Sequence, residues 1–553
     1  TAQGNSDDAI AAANTANAQV LVNAVASTAT ALEIASNNLI NARSALETAV
    51  QDEKVTFNQV GSDILGQNGG DISGFSNQIS GNGEYVIIGA PDNDNGGLKS
   101  GHARVYRNVD GNWTQYGDNL SGQNSQDKAG TSVSISDDGQ VAAVGAFGDD
   151  GAGNNAGEVR IFDYTDGNWV PRASIQGLEG EAIAHKNKMD MSSNGSIVAI
   201  SSTATNEGVS RIYEYDSVSN TWNKLGDDIV GAASSSFGTS VAVSDDGKTV
   251  AIGAPRNDDA FADAGEVKIY SYSDGSWSQL GSDITGKAAS EQIGNDIEIS
   301  GDGSTVVISS KLANSSTGVV RAYGYSGDSW SQIGVDIQGV ASGDQFGHEL
   351  AISDDGNYIA ATSPGADVEG LGSAGKVRIF ANNNNSWDQI GGDLQGSNAN
   401  SGLGDSVSLT LNGSSLTVSV GEQKYDGASS SAKYNDGRVK VFTAELTSNE
   451  ESDALQRAQD QVVSFEAIFD EAQADSDDAI AAANAANAQA LVDDVASTAI
   501  TLSTAQGNSD DAIAAANTAN AQALVDDVAS TATALSTAQG NSDDAIAAAN
   551  TAN

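Results

Sequence analysis

Residues 237–280 read FGTSVAVSDDGKTVAIGAPRNDDAFADAGEVKIYSYSDGSWSQL. Short runs of strand-forming residues alternate here with turn signals. Ser244-Asp245-Asp246-Gly247 follows the first run, an acidic loop follows Ala254-Pro255, and Asp274-Gly275 precedes Trp277. Asp-Gly between alternating apolar residues is a hairpin signal. Four short strands joined in this way make one blade of a β-propeller.

The same phrase recurs across residues 53–445. Its marker is tryptophan: Trp113, Trp169, Trp222, Trp277, Trp330 and Trp387 stand 53 to 57 residues apart. Fixed positions within a repeat point to packing between blades. Six units carry their own tryptophan strand, and a seventh, from about Asn398 to Glu445, ends at GRVKVFTAEL without one. The missing strand lies at the other end of the region. Phe57-Asn58-Gln59-Val60-Gly61-Ser62-Asp63-Ile64 matches Trp113-Thr114-Gln115-Tyr116-Gly117-Asp118-Asn119-Leu120. The first strand is therefore expected to complete the last blade and leave no open sheet edge.

Phe237-Gly238-Thr239-Ser240-Val241-Ala242, then Ala251-Ile252-Gly253-Ala254-Pro255, then Gly265-Glu266-Val267-Lys268-Ile269-Tyr270, resembles the FG-GAP repeat of integrin α-subunit propellers and their bacterial relatives. Weaker copies fall at Tyr85–Pro91, Val141–Gly148 and Phe346–Pro364. The resemblance covers the seven units and implies a propeller; it says nothing of the flanking segments. Blades of that family often carry a DxDxDGxxxD calcium loop. The matching turns here, Ser136–Gly139, Ser244–Gly247 and Ser353–Gly356, are too short to wrap an ion with six or more oxygens. The family's calcium sites are not carried over.

A different repeat fills both ends. SDDAIAAAN begins at Ser6, Ser476, Ser509 and Ser542, the last three 33 residues apart. Ile480, Leu491, Leu502, Ile513, Leu524, Leu535 and Ile546 follow one another at 11 residues, and Ile10, Leu21 and Leu32 do the same at the N-terminus. Eleven residues in three turns favour a straight or gently right-handed helical bundle. The expected organisation is an N-terminal helical arm over 1–52, a seven-bladed propeller over 53–445 and a C-terminal helical arm over 446–553. An unbroken C-terminal arm would reach on the order of 150 Å. Residues 1–17 are identical to 504–520 and to 537–553. The chain thus begins and ends at one phase of the repeat, as if cut from a longer array or shaped to overlap its neighbours.

Composition narrows the setting. The chain has 553 residues, 74 acidic against 25 basic, and a formal charge of −49. Such a surface repels nucleic acid and anionic membranes and suits a salty exterior containing divalent cations. Glycine is abundant at 62, with only 4 prolines, as many tight turns require. There is no cysteine, which removes disulfides and thiolate chemistry. No apolar run is long enough to span a membrane.

Candidate metal ligands are the acidic loops after the second strand of several units: Asp92 and Asp94, Asp149 and Asp150, and Asp258, Asp259 and Asp263. Ca2+ or another divalent cation is the candidate cofactor, weighed against simple solvated loops. Asp pairs along the helical repeat, including Asp510-Asp511 and Asp526-Asp527, either keep the bundle soluble or let cations bridge neighbouring arms. Three histidines, His102, His185 and His348, lie in different units without metal spacing, and no nucleophile motif occurs. The sequence therefore predicts no enzyme. It predicts a self-assembling extracellular filament or stalk, with arms as shaft and propeller as pendant. The alternative is a cell-surface adhesin whose propeller face binds a glycan or protein. A propeller enzyme ranks third, because it needs a charged cluster in the central funnel and no recurring cluster is visible.

Overall fold

The computed structural model describes residues 55–426, 435–446 and 510–527, with isolated helical positions elsewhere. Lys54–Thr447 belongs to one compact unit, and its strands form seven sheets of four or five strands each. Blade 4 is typical. Val241–Val243, Thr249–Ala254, Glu266–Ser273 and Ser276–Gln279 pair antiparallel in sequence order, and Ile284–Thr285 pairs back onto the third strand. The innermost strands line an axial channel, and the tryptophan strands lie outermost.

Closure occurs as the repeat count requires. Asn58–Gln59 and Ile64–Leu65 pair with Arg438–Glu445, the third strand of blade 7. Two ends of the domain therefore build one sheet, and no blade is left with an unpaired partner edge at the seam.

The core is divided among the blade interfaces, as stacked amphipathic sheets demand. Ile87 and Val105 of blade 1, for example, pack with Val144, Phe162 and Trp169 of blade 2. Val439 and Val441 of blade 7 meet Val86, Ile88 and Tyr106 of blade 1. Each tryptophan also locks its blade to the one before. The indole N–H donates to a main-chain carbonyl of the preceding tryptophan-strand segment: Trp113 to Val60 at 3.1 Å, Trp169 to Tyr116 at 2.8 Å, Trp222 to Ala173 at 2.8 Å, Trp277 to Leu225 at 2.6 Å, Trp330 to Leu280 at 2.8 Å and Trp387 to Ile333 at 3.1 Å. Trp113 thereby ties blade 1 to the closing segment itself.

One interface lacks this bond. Phe57 occupies the tryptophan position of blade 7 and packs against Gly391, where a Cβ would stand 2.8 Å from its ring. Phenylalanine has no donor. Phe57→Trp should place an indole N–H toward the Ile390 carbonyl and raise stability by about 1 kcal/mol, the net worth of a hydrogen bond. Thermal denaturation followed by circular dichroism would measure it.

The long arms are not shown by the structure. Residues 510–527 are helical and none is buried; Ile513 and Leu524 are half-exposed. The other seam positions, Ile480, Leu491, Leu502, Leu535, Ile546, Ile10, Leu21 and Leu32, lie outside the described residues. No described helix is long and apolar enough to cross a membrane.

Candidate functional site

The channel is built by repetition and by departures from it. In most blades the innermost strand ends in a Ser-x-Asp/Asn-Gly turn. Its first serine hydroxyl bonds the carboxylate or amide two residues on: Ser136 to Asp138 at 2.6 Å, Ser244 to Asp246 at 2.8 Å and Ser192 to Asn194 at 3.0 Å. The second acidic residue of each Asp pair is thus consumed by the turn. The first is not. Asp137, Asp245 and Asp354 make no side-chain hydrogen bond among the described residues, and they point into the channel mouth.

The main chain fixes them there. Around this mouth the Asn82 N–H donates to the Asp137 carbonyl at 3.0 Å, Asp137 to Ser193 at 2.8 Å, Ser193 to Asp245 at 3.3 Å, Asp245 to Gly301 at 2.9 Å and Gly301 to Asp354 at 2.9 Å. Reading round the ring, the corresponding residues are Gly81, Asp137, Ser193, Asp245, Gly301 and Asp354. The glycines leave room for the carboxylates. A Cβ at Gly81 would overlap the Asp137 carboxylate, and one at Gly301 would overlap that of Asp245.

Carboxylate oxygens of Asp137, Asp245 and Asp354 lie within 4.8 Å of one another, the one such group of three among the described residues. Burial, then the neighbouring charges of Asp245, Asp137 and Asp355, pushes the Asp354 carboxyl up to about 7. Burial, then Asp245 and Asp138, raises Asp137 to about 6, and burial with Asp246 and Asp302 raises Asp245. Like charges this close resist ionising together. Chemically the trio can share protons, or supply three oxygen donors to a hard cation.

Further in, burial raises Asp190 to about 6, although Val243 and Met191 N–H groups donate to its carboxylate. Burial, then Asp296, Asp190 and Glu349, holds Glu298 well above the usual carboxylate range. The channel has about 180 Å³ of room and a mostly polar wall.

At the opposite end the repeat is broken by charge. Ser76, Ser132, Ser240 and Ser406 each donate a hydroxyl to a carbonyl of the following blade: Gly130, Ala184, Gly294 and Gly74. In blades 5 and 6 that position is Asp296 and Glu349; in blade 3 it is Lys188. Asp296 accepts from the Leu350 N–H at 2.7 Å and from the Asn187 amide at 2.9 Å. Lys186 stands 3.2 Å from Glu349. His348 lies 3.5 Å from Glu349, and burial, then Lys311, Lys186 and Lys424, keeps its imidazole neutral far below the ordinary range.

The loop carboxylates expected as ligands make contacts within their own loops. Asp94 accepts from the Lys99 N–H at 2.7 Å, Asp150 from Asn155 at 2.6 Å and Asp258 from Asp263 at 2.7 Å. Each clamps a residue five positions on that has a left-handed backbone, with φ of 50°, 50° and 49°. Asp92 pairs with Lys99 at 2.7 Å, Asp149 caps the Gly151 N–H at 2.8 Å and Asp259 accepts from the Asn257 amide at 3.2 Å. The structure does not gather these residues around one point.

The fold defines a seven-bladed β-propeller protein. No protein-family model matches the sequence, the FG-GAP repeat included, and no curated protein is similar to it. Among solved structures, the chain is similar to a candidate 6-phosphogluconolactonase of Bacteroides uniformis, at 14% identity over 59% of this chain and 86% of that one, with a TM-score of 0.43. A periplasmic gluconolactonase of Pseudomonas aeruginosa, PpgL, gives 14% identity, 59% and 85% coverage and a TM-score of 0.39. Hsv2 of Kluyveromyces lactis gives 10% identity, 69% and 98% coverage and a TM-score of 0.39.

The expectation of a non-enzymatic chain does not stand. It rested on the lack of a charged cluster in the funnel, and Lys186, Asp296, His348 and Glu349 form one. They come from three blades and do not recur, so repeat counting passes over them. For Asp296 and Glu349 the signal was departure from serine at a repeated position.

Proposed function

We propose that the protein is a self-associating subunit that displays its propeller, with the repeat helices forming a shaft outside the cell. The observation that carries this reading is the 510–527 helix. Its Ile513 and Leu524 keep the 11-residue seam half-exposed, and Val525 is 60% exposed. A helix with no buried residue gains little from its own chain, since packing supplies most helical stability in water. A matching helix of another copy would cover the seam. Exposed Asp510, Asp511, Asp526 and Asp527 oppose that contact in low salt, and divalent cations would relieve the repulsion. The FG-GAP-like spacing of the blades agrees with display at a surface.

Negative-stain electron microscopy of the full chain, with millimolar calcium and with chelator, tests the proposal. Fibres studded with rings are the expected result, and their loss in chelator would assign the Asp pairs to cation bridging. Isolated rings in both conditions would overturn it.

A second reading, an adhesin head that binds a glycan or protein, is favoured by the funnel. Its charged residues depart from the repeat, as a ligand site would require and a spacer would not. Ligand-dependent binding by single particles would support it.

A further inference from the structure

The loop before the innermost strand of blade 3 is longer than its counterparts. Blade 2 runs Gly130-Thr131-Ser132, whereas blade 3 runs Ala184-His185-Lys186-Asn187-Lys188, two residues more. The extra residues do not spread outward. Lys186 donates to the main-chain carbonyl of Asp405 in blade 7, pairs with Glu349 of blade 6 at 3.2 Å and lies 5.0 Å from the ring centre of Phe75 in blade 1. The Asn187 amide reaches Asp296 of blade 5 at 2.9 Å and Glu349 at 3.5 Å. Its carbonyl accepts from the Val241 N–H of blade 4 at 3.0 Å. In a ring of seven, blade 3 touches only blades 2 and 4 by adjacency. Contacts with blades 5, 6, 7 and 1 must therefore cross the bore.

Backbone conformation marks the same loop. At the position of Ala184 the other blades have Gly74, Gly130, Gly238, Gly294, Gly347 and Gly404, all with positive φ; Ala184 adopts φ 60° with a Cβ. A left-handed alanine costs roughly 1–2 kcal/mol, so the cross-bore contacts have to over-determine this loop.

We propose that Lys186 and Asn187 form a stopper that closes one end of the axial channel, leaving a blind acidic well entered only past Asp137, Asp245 and Asp354. Release of Lys186 from Glu349 and the Asp405 carbonyl converts the well to a through bore. The stopper decides from which face a small solute reaches the channel wall.

The chain has no cysteine, so a single introduced thiol reports access cleanly. Ala351 lines the channel midway along the innermost strand of blade 6, and Ser193 sits at the open mouth. The full chain carrying Ala351→Cys is treated with a cationic methanethiosulfonate, with and without Lys186→Ala and Asn187→Ala. The stopper predicts that the double substitution speeds modification of Ala351→Cys by about tenfold or more, as removal of a local closing free energy does. Ser193→Cys should react at an unchanged rate. Equal rates at Ala351→Cys would overturn the stopper, and parallel acceleration at both reporters would do so too, because it would mean general loosening. Should the double variant not fold, Lys186→Gln with Asn187 intact keeps the ring and carries the same expectation at smaller size.

Discussion

Arg438→Ala will destabilise the propeller by about 3–5 kcal/mol, the cost of leaving a buried charge without its partner. Arg438 sits on the third strand of blade 7 and is 4% exposed. Its guanidinium pairs with fully buried Glu422 on the second strand and with Asp63 of the closing segment at 2.7 Å. It also donates to Ser397 at 3.0 Å and lies 3.6 Å from the Tyr425 ring centre. One side chain therefore ties the closing segment to the blade it completes. Its loss leaves Glu422 buried without this cation and loosens the seam at once. Urea denaturation gives the number. Arg438→Met combined with Glu422→Leu should recover most of it, since apolar replacement removes the uncompensated charge. A loss under about 1 kcal/mol for the single variant would show that the seam does not depend on this pair.

Asp354→Asn should leave stability unchanged at about pH 4 and below, and stabilise the protein increasingly from there to above pH 7. The Asp354 carboxyl is raised from 3.8 to about 7 in the folded state. A raised acid keeps its proton in the native state after the unfolded chain has lost it. The stability this confers is complete below about pH 4 and disappears as pH rises through 7. Asparagine imitates the protonated form at every pH. After discounting for water in the channel mouth, the gain at pH 8 is about 1–2 kcal/mol without added cation. Buried His102, lowered to about 4, runs the other way as pH falls below 6.5. The comparison must therefore be made between variant and parent at each pH. A constant difference from pH 5 to pH 8 would remove the repulsion account.

The propeller was legible because it repeats. Six tryptophans at a steady interval mark six outer strands, and the Phe57 segment supplies the seventh by the same pattern. Packing of indoles between blades could be read from their fixed register, though the carbonyl each one reaches could not. The axial cluster was not legible for a geometric reason. A loop that wraps an ion displays its ligands side by side in sequence, whereas Asp137, Asp245 and Asp354 come from three turns more than 100 residues apart in pairs. Each turn alone is only a hairpin, and the reading of it as one was correct. What sequence inspection could not supply is that the first aspartate of the pair faces inward while the second is held by serine. In the acidic loops, Asp94, Asp150 and Asp258 each accept a backbone N–H from five residues ahead, an arrangement that composition alone does not display.

Blade 7 has a mechanical consequence. Val55 and Leu446, where the chain enters and leaves the propeller, pack in one core cluster, and the strands behind them pair antiparallel, Asn58 with Thr443 and Gln59 with Phe442. Tension applied through the two ends would not stretch the ring. It would act across a single pair of strands and peel their hydrogen bonds one after another, the weakest direction in which a sheet can be loaded. The other six blades would carry none of the force until that clasp had opened.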